Sequence, residues 1–129
     1  MALRNDGARA TIDITQTRGL ALLNDVVCAL INDAKPAAVP DFTLRQLAVL
    51  LTIYLEPPPH TVRGLAKKLG VTKPVVTRAL DVLDRQTIIV RRDDEVDRRN
   101  VIVQRTVKGA LYIETLGELV VAKAGGLPR

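Results

Sequence analysis

Leu20, Leu23, Val27, Leu30 and Ala34 recur at spacings of 3, 4, 3 and 4, the period of a helix with one apolar face, and predict a first helix from about Thr15 to Lys35. Leu22, Val26 and Ala29 add a second apolar row, so this helix has two sides to cover, and a partner subunit is one way to cover the second. Pro36 and Pro40 bracket a loop. Thr43 is placed to cap a second helix in which Leu44, Leu47, Ala48, Leu51 and Leu55 again follow 3 and 4 spacings. Pro57, Pro58 and Pro59 end it, because proline lacks an amide hydrogen and fixes its own backbone; the run is expected to act as a stiff polyproline spacer.

Thr61 caps a short third helix, Val62 to Leu69, with Val62, Leu65, Ala66 and Leu69 inward and Arg63, Lys67 and Lys68 outward. Gly70 stops it. Thr72 is placed to cap a fourth helix that runs to about Arg85, with Pro74 tolerated in the first turn, where its missing donor has no partner to lose. At 100° per residue Val76, Ala79, Leu80 and Leu83 gather on one side, while Pro74, Arg78, Asp81 and Arg85 lie opposite, flanked by Val75 and Thr77. Thr87 to Arg92 and Val101 to Arg105 are rich in β-branched residues and read as a hairpin whose tip is the polar stretch Asp93 to Asn100. Thr106 caps a last helix from Val107 to about Ala124, whose apolar row is Ala110, Ile113, Leu116, Val120 and Ala124, and Gly125 and Gly126 release the chain.

Charge turns this outline toward a partner. The chain of 129 residues carries +5 overall, but residues 60 to 108 hold 12 Lys or Arg against 6 acids, so the basic surplus belongs to the central block. Apolar residues at 47% and charged residues at 26% describe one globular domain and argue against disorder or membrane spans. The three aromatics, Phe42, Tyr54 and Tyr112, are too few for base-stacking platforms of the single-strand or RNA-binding kind. A single Cys28 excludes an internal disulfide and a thiol zinc cluster, and with His60 alone beside it no metal or cofactor is expected. Met1 to Ile14 lacks the continuous apolar run of a secretory signal, so a reducing cytoplasm is the expected compartment.

Two short helices joined at Gly70 and Val71, the second bearing Thr72, Lys73, Thr77 and Arg78 on its exposed N-terminal half, form a helix-turn-helix pattern. Such a helix fits the major groove of duplex DNA, where Arg bonds guanine, Thr bonds a base or phosphate, and Val75 touches a thymine methyl. Thr61, Arg63, Lys68 and Pro74 complete the candidate DNA-binding set. At the hairpin tip Arg98 and Arg99 are long enough to enter a minor groove, and Asp97 costs binding there unless it pairs with one of them and orients it. The plainer readings are a solvated amphipathic helix pair and an exposed charged loop. Asp93, Asp94 and Glu95 lack the glycine-punctuated pattern of a calcium loop.

The run TVRGLAKKLGVTKPVVTRALDVLDRQ followed by VRRDDEVDRRNVIVQRTVKG resembles the winged helix-turn-helix of MarR-family transcription regulators. The resemblance covers roughly half the chain and rests on the joint order of helix pair, DRR wing and TxKG helix start. It implies that Thr72, Lys73, Thr77 and Arg78 contact bases or phosphates and that Asp97, Arg98 and Arg99 form the wing signature. It further implies a homodimer with interlocked terminal helices, a repressor role, and release from DNA on binding a small molecule or on oxidation. Three positions depart from the family pattern. Thr87 stands where glycine is usual, so that turn is expected to be tighter or rotated. Arg105 replaces a leucine before TxKG, which is expected to place a cation near the wing's inner face or to supply another phosphate contact. Finally, the chain carries less C-terminal helix after Ala124 than the family's dimerisation draws on.

The expectation is a mainly α winged helix-turn-helix with a small β-hairpin wing, a single domain over 1–129. Within it, about 43–105 form the DNA-binding core, and about 1–35 and 106–129 supply dimerisation helices through Leu20, Leu22, Leu23, Val26, Val27, Leu30, Ile113, Leu116 and Val120. The function expected is a dimeric repressor of double-stranded DNA, with the 72–85 helix in the major groove of a palindromic operator and the 93–100 wing in the minor groove. The alternative is a winged-helix adaptor or nonspecific architectural module. Neither a Ser/His/Asp or Cys/His constellation nor a phosphate-cradling glycine loop points to an enzyme. No effector is identified, and Cys28 is read as a small buried hydrophobe and His60 as a surface residue.

Overall fold

The computed structural model describes residues 15–32 and 41–126. These fall into two compact units, one holding the first helix together with the last helix from Leu116 onward, the other lying within Pro36–Thr115. The loop at Pro36 and Pro40 and the end of the first helix near Lys35 lie outside the described residues. In chain order the elements are α1 (Gln16–Asn32), α2 (Leu44–Leu55), β1 (His60–Thr61), α3 (Val62–Leu69), α4 (Lys73–Arg85), β2 (Ile89–Asp93), β3 (Val101–Arg105) and α5 (Val107–Gly125). The fold is mainly α with a small antiparallel sheet, a winged helix.

The local signals that start α2, α3 and α5 act as the spacing predicts. Thr43 Oγ1 accepts from the Gln46 amide while Gln46 Oε1 accepts from the Thr43 amide, a reciprocal cap on α2. Thr61 Oγ1 accepts from the Gly64 amide at the start of α3, and Thr106 Oγ1 accepts from the Gly109 amide at the start of α5. Thr72 occupies the N-cap of α4, but its side chain makes no capping bond.

The ends of α3 and α4 use one device. In α3 the amides of Gly70 and Val71 bond back to the carbonyls of Lys67 and Ala66, and in α4 those of Thr87 and Ile88 bond to Asp84 and Leu83. This closure needs one left-handed residue. Gly70 supplies it after α3 with φ of 69°, and Thr87 supplies it after α4 with φ of 58°. A β-branched residue pays for that conformation with a clash that glycine avoids, so Thr87 keeps the glycine geometry instead of rotating the turn. The expected start of the wing strand at Thr87 therefore moves to Ile89.

The core of the winged helix joins Val49, Leu50 and Ile53 of α2, Leu65 and Ala66 of α3, and Val76, Ala79, Leu80 and Leu83 of α4 to Ile88, Ile89, Val103 and Tyr112. Each fully buried Leu or Ile here contributes about 1.5–3 kcal/mol relative to exposure. Phe42 packs edge-on to Tyr112 with ring centroids 5.8 Å apart. Tyr112 is pushed above the ordinary tyrosine pKa by burial and, secondarily, by the charge of Asp41.

The sheet holds three strands in the order β1-β3-β2, one more than the hairpin expected from sequence. Ile89 lies opposite Arg105 and Asp93 opposite Val101, while His60 lies opposite Val103 on the other edge of β3. His60 is accordingly buried, with its Nε2 3.0 Å from the Glu56 carbonyl oxygen, which corrects its reading as a surface residue. The Pro58–Pro59 peptide just before it is cis.

Candidate nucleic-acid interface

Because Val76, Ala79, Leu80 and Leu83 turn into the core, the opposite side of α4 faces solvent, and Thr72, Lys73, Pro74, Thr77 and Arg78 are all exposed on it. Val75 is half-buried at its edge. The preceding helix contributes exposed Arg63, together with Thr61, whose hydroxyl oxygen is occupied by its cap bond while the hydroxyl hydrogen remains available to an acceptor. The Lys68 ammonium is ion-paired with the Glu56 carboxylate, so part of the charge expected for a phosphate is already balanced within the protein.

In the wing, Asp97 resolves the cost its charge raised. Its carboxylate accepts from Arg99 Nε at 3.1 Å and from the Arg99 amide at 3.1 Å. The Arg99 guanidinium and its amide, together with the more distant charge of Arg63, hold the Asp97 pKa below the ordinary aspartate value. Arg98 makes no ion pair among the described residues. The tip is shaped by bonds from the Asp94 amide to the Asn100 carbonyl and from the Asn100 amide to the Asp97 carbonyl. Among the described residues no cluster of His, Cys, Asp or Glu is arranged to hold a metal ion.

The wing is fastened to α4 by a residue that sequence reasoning did not single out. Arg91 of β2 donates from Nε to Asp84 Oδ2 at 2.9 Å and from Nη1 to Asp81 Oδ1 at 2.8 Å. Burial disfavours the Arg91 charge, but the two carboxylates outweigh it and leave the guanidinium pKa above its ordinary value. Asp81 and Asp84 stand one helical turn apart on α4, and the hairpin brings Arg91 across to both. No local spacing in the sequence marks this contact, because Arg91 reaches Asp81 and Asp84 only across the turn between α4 and β2.

Arg105 is not free for a phosphate. Its Nε donates to the Ile53 carbonyl and its Nη2 to the Glu56 carbonyl, both at 2.8 Å, and its guanidinium carbon lies 5.6 Å from the centre of the Tyr54 ring. It closes the C-terminal end of α2, where helix carbonyls lack partners and a cation is favoured. Tyr54 completes this joint: its hydroxyl donates to the Ile88 carbonyl at 2.7 Å and accepts from the Thr106 amide at 3.0 Å. A Cβ at position 109 would collide with that hydroxyl and with the Ile88 carbonyl, which accounts for Gly109.

Of the expected dimerisation residues, Leu20, Leu23, Val27 and Val120 are exposed, and Ile31 and Val121 extend the exposed apolar set. Leu22, Val26 and Leu30 are partly exposed. Ile113 packs against the winged-helix core, and Leu116 is buried within the chain itself. Cys28 is exposed, not buried, with its thiol 3.6 Å from Asn24 Oδ1. No described helix is long and apolar enough to cross a membrane.

Comparisons with known proteins agree with this geometry. A sequence model of the MarR family matches residues 41–100. The YusO protein of Bacillus subtilis shares the fold with a TM-score of 0.69 at 20% identity, over 85% of this chain and 72% of that one. The transcriptional regulator Tm0710 of Thermotoga maritima aligns with a TM-score of 0.65 at 25% identity, over 83% and 70%. A cysteine-to-serine variant of MarR from E. coli, complexed with operator DNA, aligns with a TM-score of 0.60 at 30% identity, over 81% and 66%. No curated protein sequence matches the chain.

Proposed function

The chain belongs to the MarR family of winged-helix transcriptional regulators, which are DNA-binding proteins and not enzymes, and from that premise we propose that it is a dimeric, sequence-specific repressor. The observation that carries this reading is the pairing of two surfaces. The solvent side of α4 presents Thr72, Lys73, Thr77 and Arg78, and a wing beside it presents Arg98 while Asp97 holds Arg99 in place. In the proposed complex α4 enters the major groove, where Arg78 donates to a base edge, and the wing arginines reach the adjacent minor groove. That the E. coli relative is complexed with operator DNA favours duplex DNA as the partner.

Dimerisation is supported by the exposed Leu20, Leu23, Val27 and Ile31 of α1 and Val120 and Val121 of α5, large apolar side chains that a partner subunit would remove from water. A two-fold dimer repeats α4 about one DNA turn away, roughly 34–36 Å, and so reads an inverted repeat. Recovery of bound genomic fragments, followed by light scattering with and without the recovered site, tests both statements. An inverted repeat bound by two protomers is expected. Equal affinity for random and selected DNA leaves an architectural role, and a monomer on a single half-site ends the dimeric reading. Arg78→Ala is expected to relax preference at one position per half-site by about 1–3 kcal/mol.

A further inference from the structure

Arg78 and Arg85 of α4 are seven residues apart, which brings them within about 20° of the same side of the helix and about 10 Å along it. With Arg45 and Gln46 from the first turn of α2 they line a cleft of about 450 Å³. All three guanidinium groups are exposed, and none is ion-paired among the described residues. The one carboxylate lining this cleft among the described residues is Asp81, and Arg91 already holds it. The α2 side of α4 is therefore a strip of uncompensated positive charge continuous with the face that carries Arg78. Its cations are strung along the helix instead of converging on one point, an arrangement that suits a polyanion better than a small anion.

We propose that Arg45 and Arg85 are contacts to the phosphate backbone of duplex DNA, holding the strand that borders the groove on the α2 side while the wing holds the other border. The proposal rests on α4 being the groove-reading helix. Neither residue belongs to the DNA-binding set read from sequence, because Arg45 lies outside the helix pair and Arg85 at its far end. Phosphate contacts set register and affinity without reading bases, so these two residues add binding strength shared evenly across sequences.

The test uses the full chain and a fluorescein-labelled duplex enriched from random DNA by the wild-type protein, with affinity followed by anisotropy between about 50 and 200 mM KCl. Arg45→Gln and Arg85→Gln are each expected to lower the steepness of the log–log salt dependence by about 0.9, with an affinity loss of about threefold per contact, and Arg45→Lys is expected to restore the slope. The losses should be the same on selected and scrambled duplexes, and thermal unfolding should be unchanged. Slopes equal to wild type in both glutamine variants overturn the proposal, as does a loss confined to one base position, which makes the residue a base reader. If the wild-type protein binds duplex DNA without salt dependence, the α4 reading itself fails, and that result is separate because it appears before any substitution is made.

Discussion

Arg91 Nη1 lies 2.8 Å from Asp81 Oδ1, so the first strand of the wing is tied to the helix that carries Arg78. The same guanidinium takes Asp84, so a single residue of β2 ties that strand to two carboxylates of α4 and balances part of their charge.

Arg91→Ala should lower stability by about 1 kcal/mol, since each partly exposed pair is worth about 0.2–1 kcal/mol, and should weaken duplex binding by leaving Asp81 and Asp84 uncovered. The triple variant Arg91→Ala, Asp81→Asn, Asp84→Asn should regain much of the affinity without regaining the stability. Urea unfolding and anisotropy separate the two effects. Affinity that stays low in the triple variant assigns Arg91's role to holding the wing alone.

The wing pair has a pH signature. Asp97 titrates below the ordinary 3.8, so the favourable contribution of its Arg99 bond is complete above that value and is lost as pH falls through the depressed folded value. Carboxyl NMR titration should place the Asp97 midpoint under 3.8, and Arg99→Ala should move it up toward the ordinary value. No such movement means that the pair does not hold in solution.

Thr87→Gly should stabilise the protein by about 1 kcal/mol, because the left-handed backbone costs an L-residue about 1–2 kcal/mol and glycine's extra freedom in the unfolded chain returns part of that gain. The backbone carbonyl of residue 87, which accepts from Thr106 Oγ1 at 2.7 Å, is unaffected by the change. Thermal unfolding decides the sign. A destabilised Thr87→Gly would mean that the threonine hydroxyl, which donates to the Gln86 carbonyl, outweighs the backbone cost.

Arg105→Leu restores the residue usual before TxKG, but here it removes two charge-assisted bonds to carbonyls at the end of α2 and should cost about 1–3 kcal/mol. The salt dependence of DNA binding should stay as in the wild type. A slope reduced by about 0.9 would return Arg105 to the phosphate contacts.

What the chain determined by itself is whatever depends on neighbours no more than about four residues away. The inward row Val76, Ala79, Leu80 and Leu83, the caps at Thr43, Thr61 and Thr106, the stop at Gly70 and the pairing of Asp97 with a following arginine are all such features. Helical period and capping bonds close within one turn, so residue order alone specifies them. The tertiary structure decided the features whose partners lie far along the chain. A two-residue strand at His60 has no period of its own and forms only because β3 offers it a second edge. Lys68 and Arg105 look like free cations in sequence until folding sets Glu56 and the end of α2 beside them. Arg45 joins the α4 strip only because α2 packs next to that helix. Electrostatic role depends on distance in space, and these separations of 12 to 52 residues acquire a distance only when the core has closed.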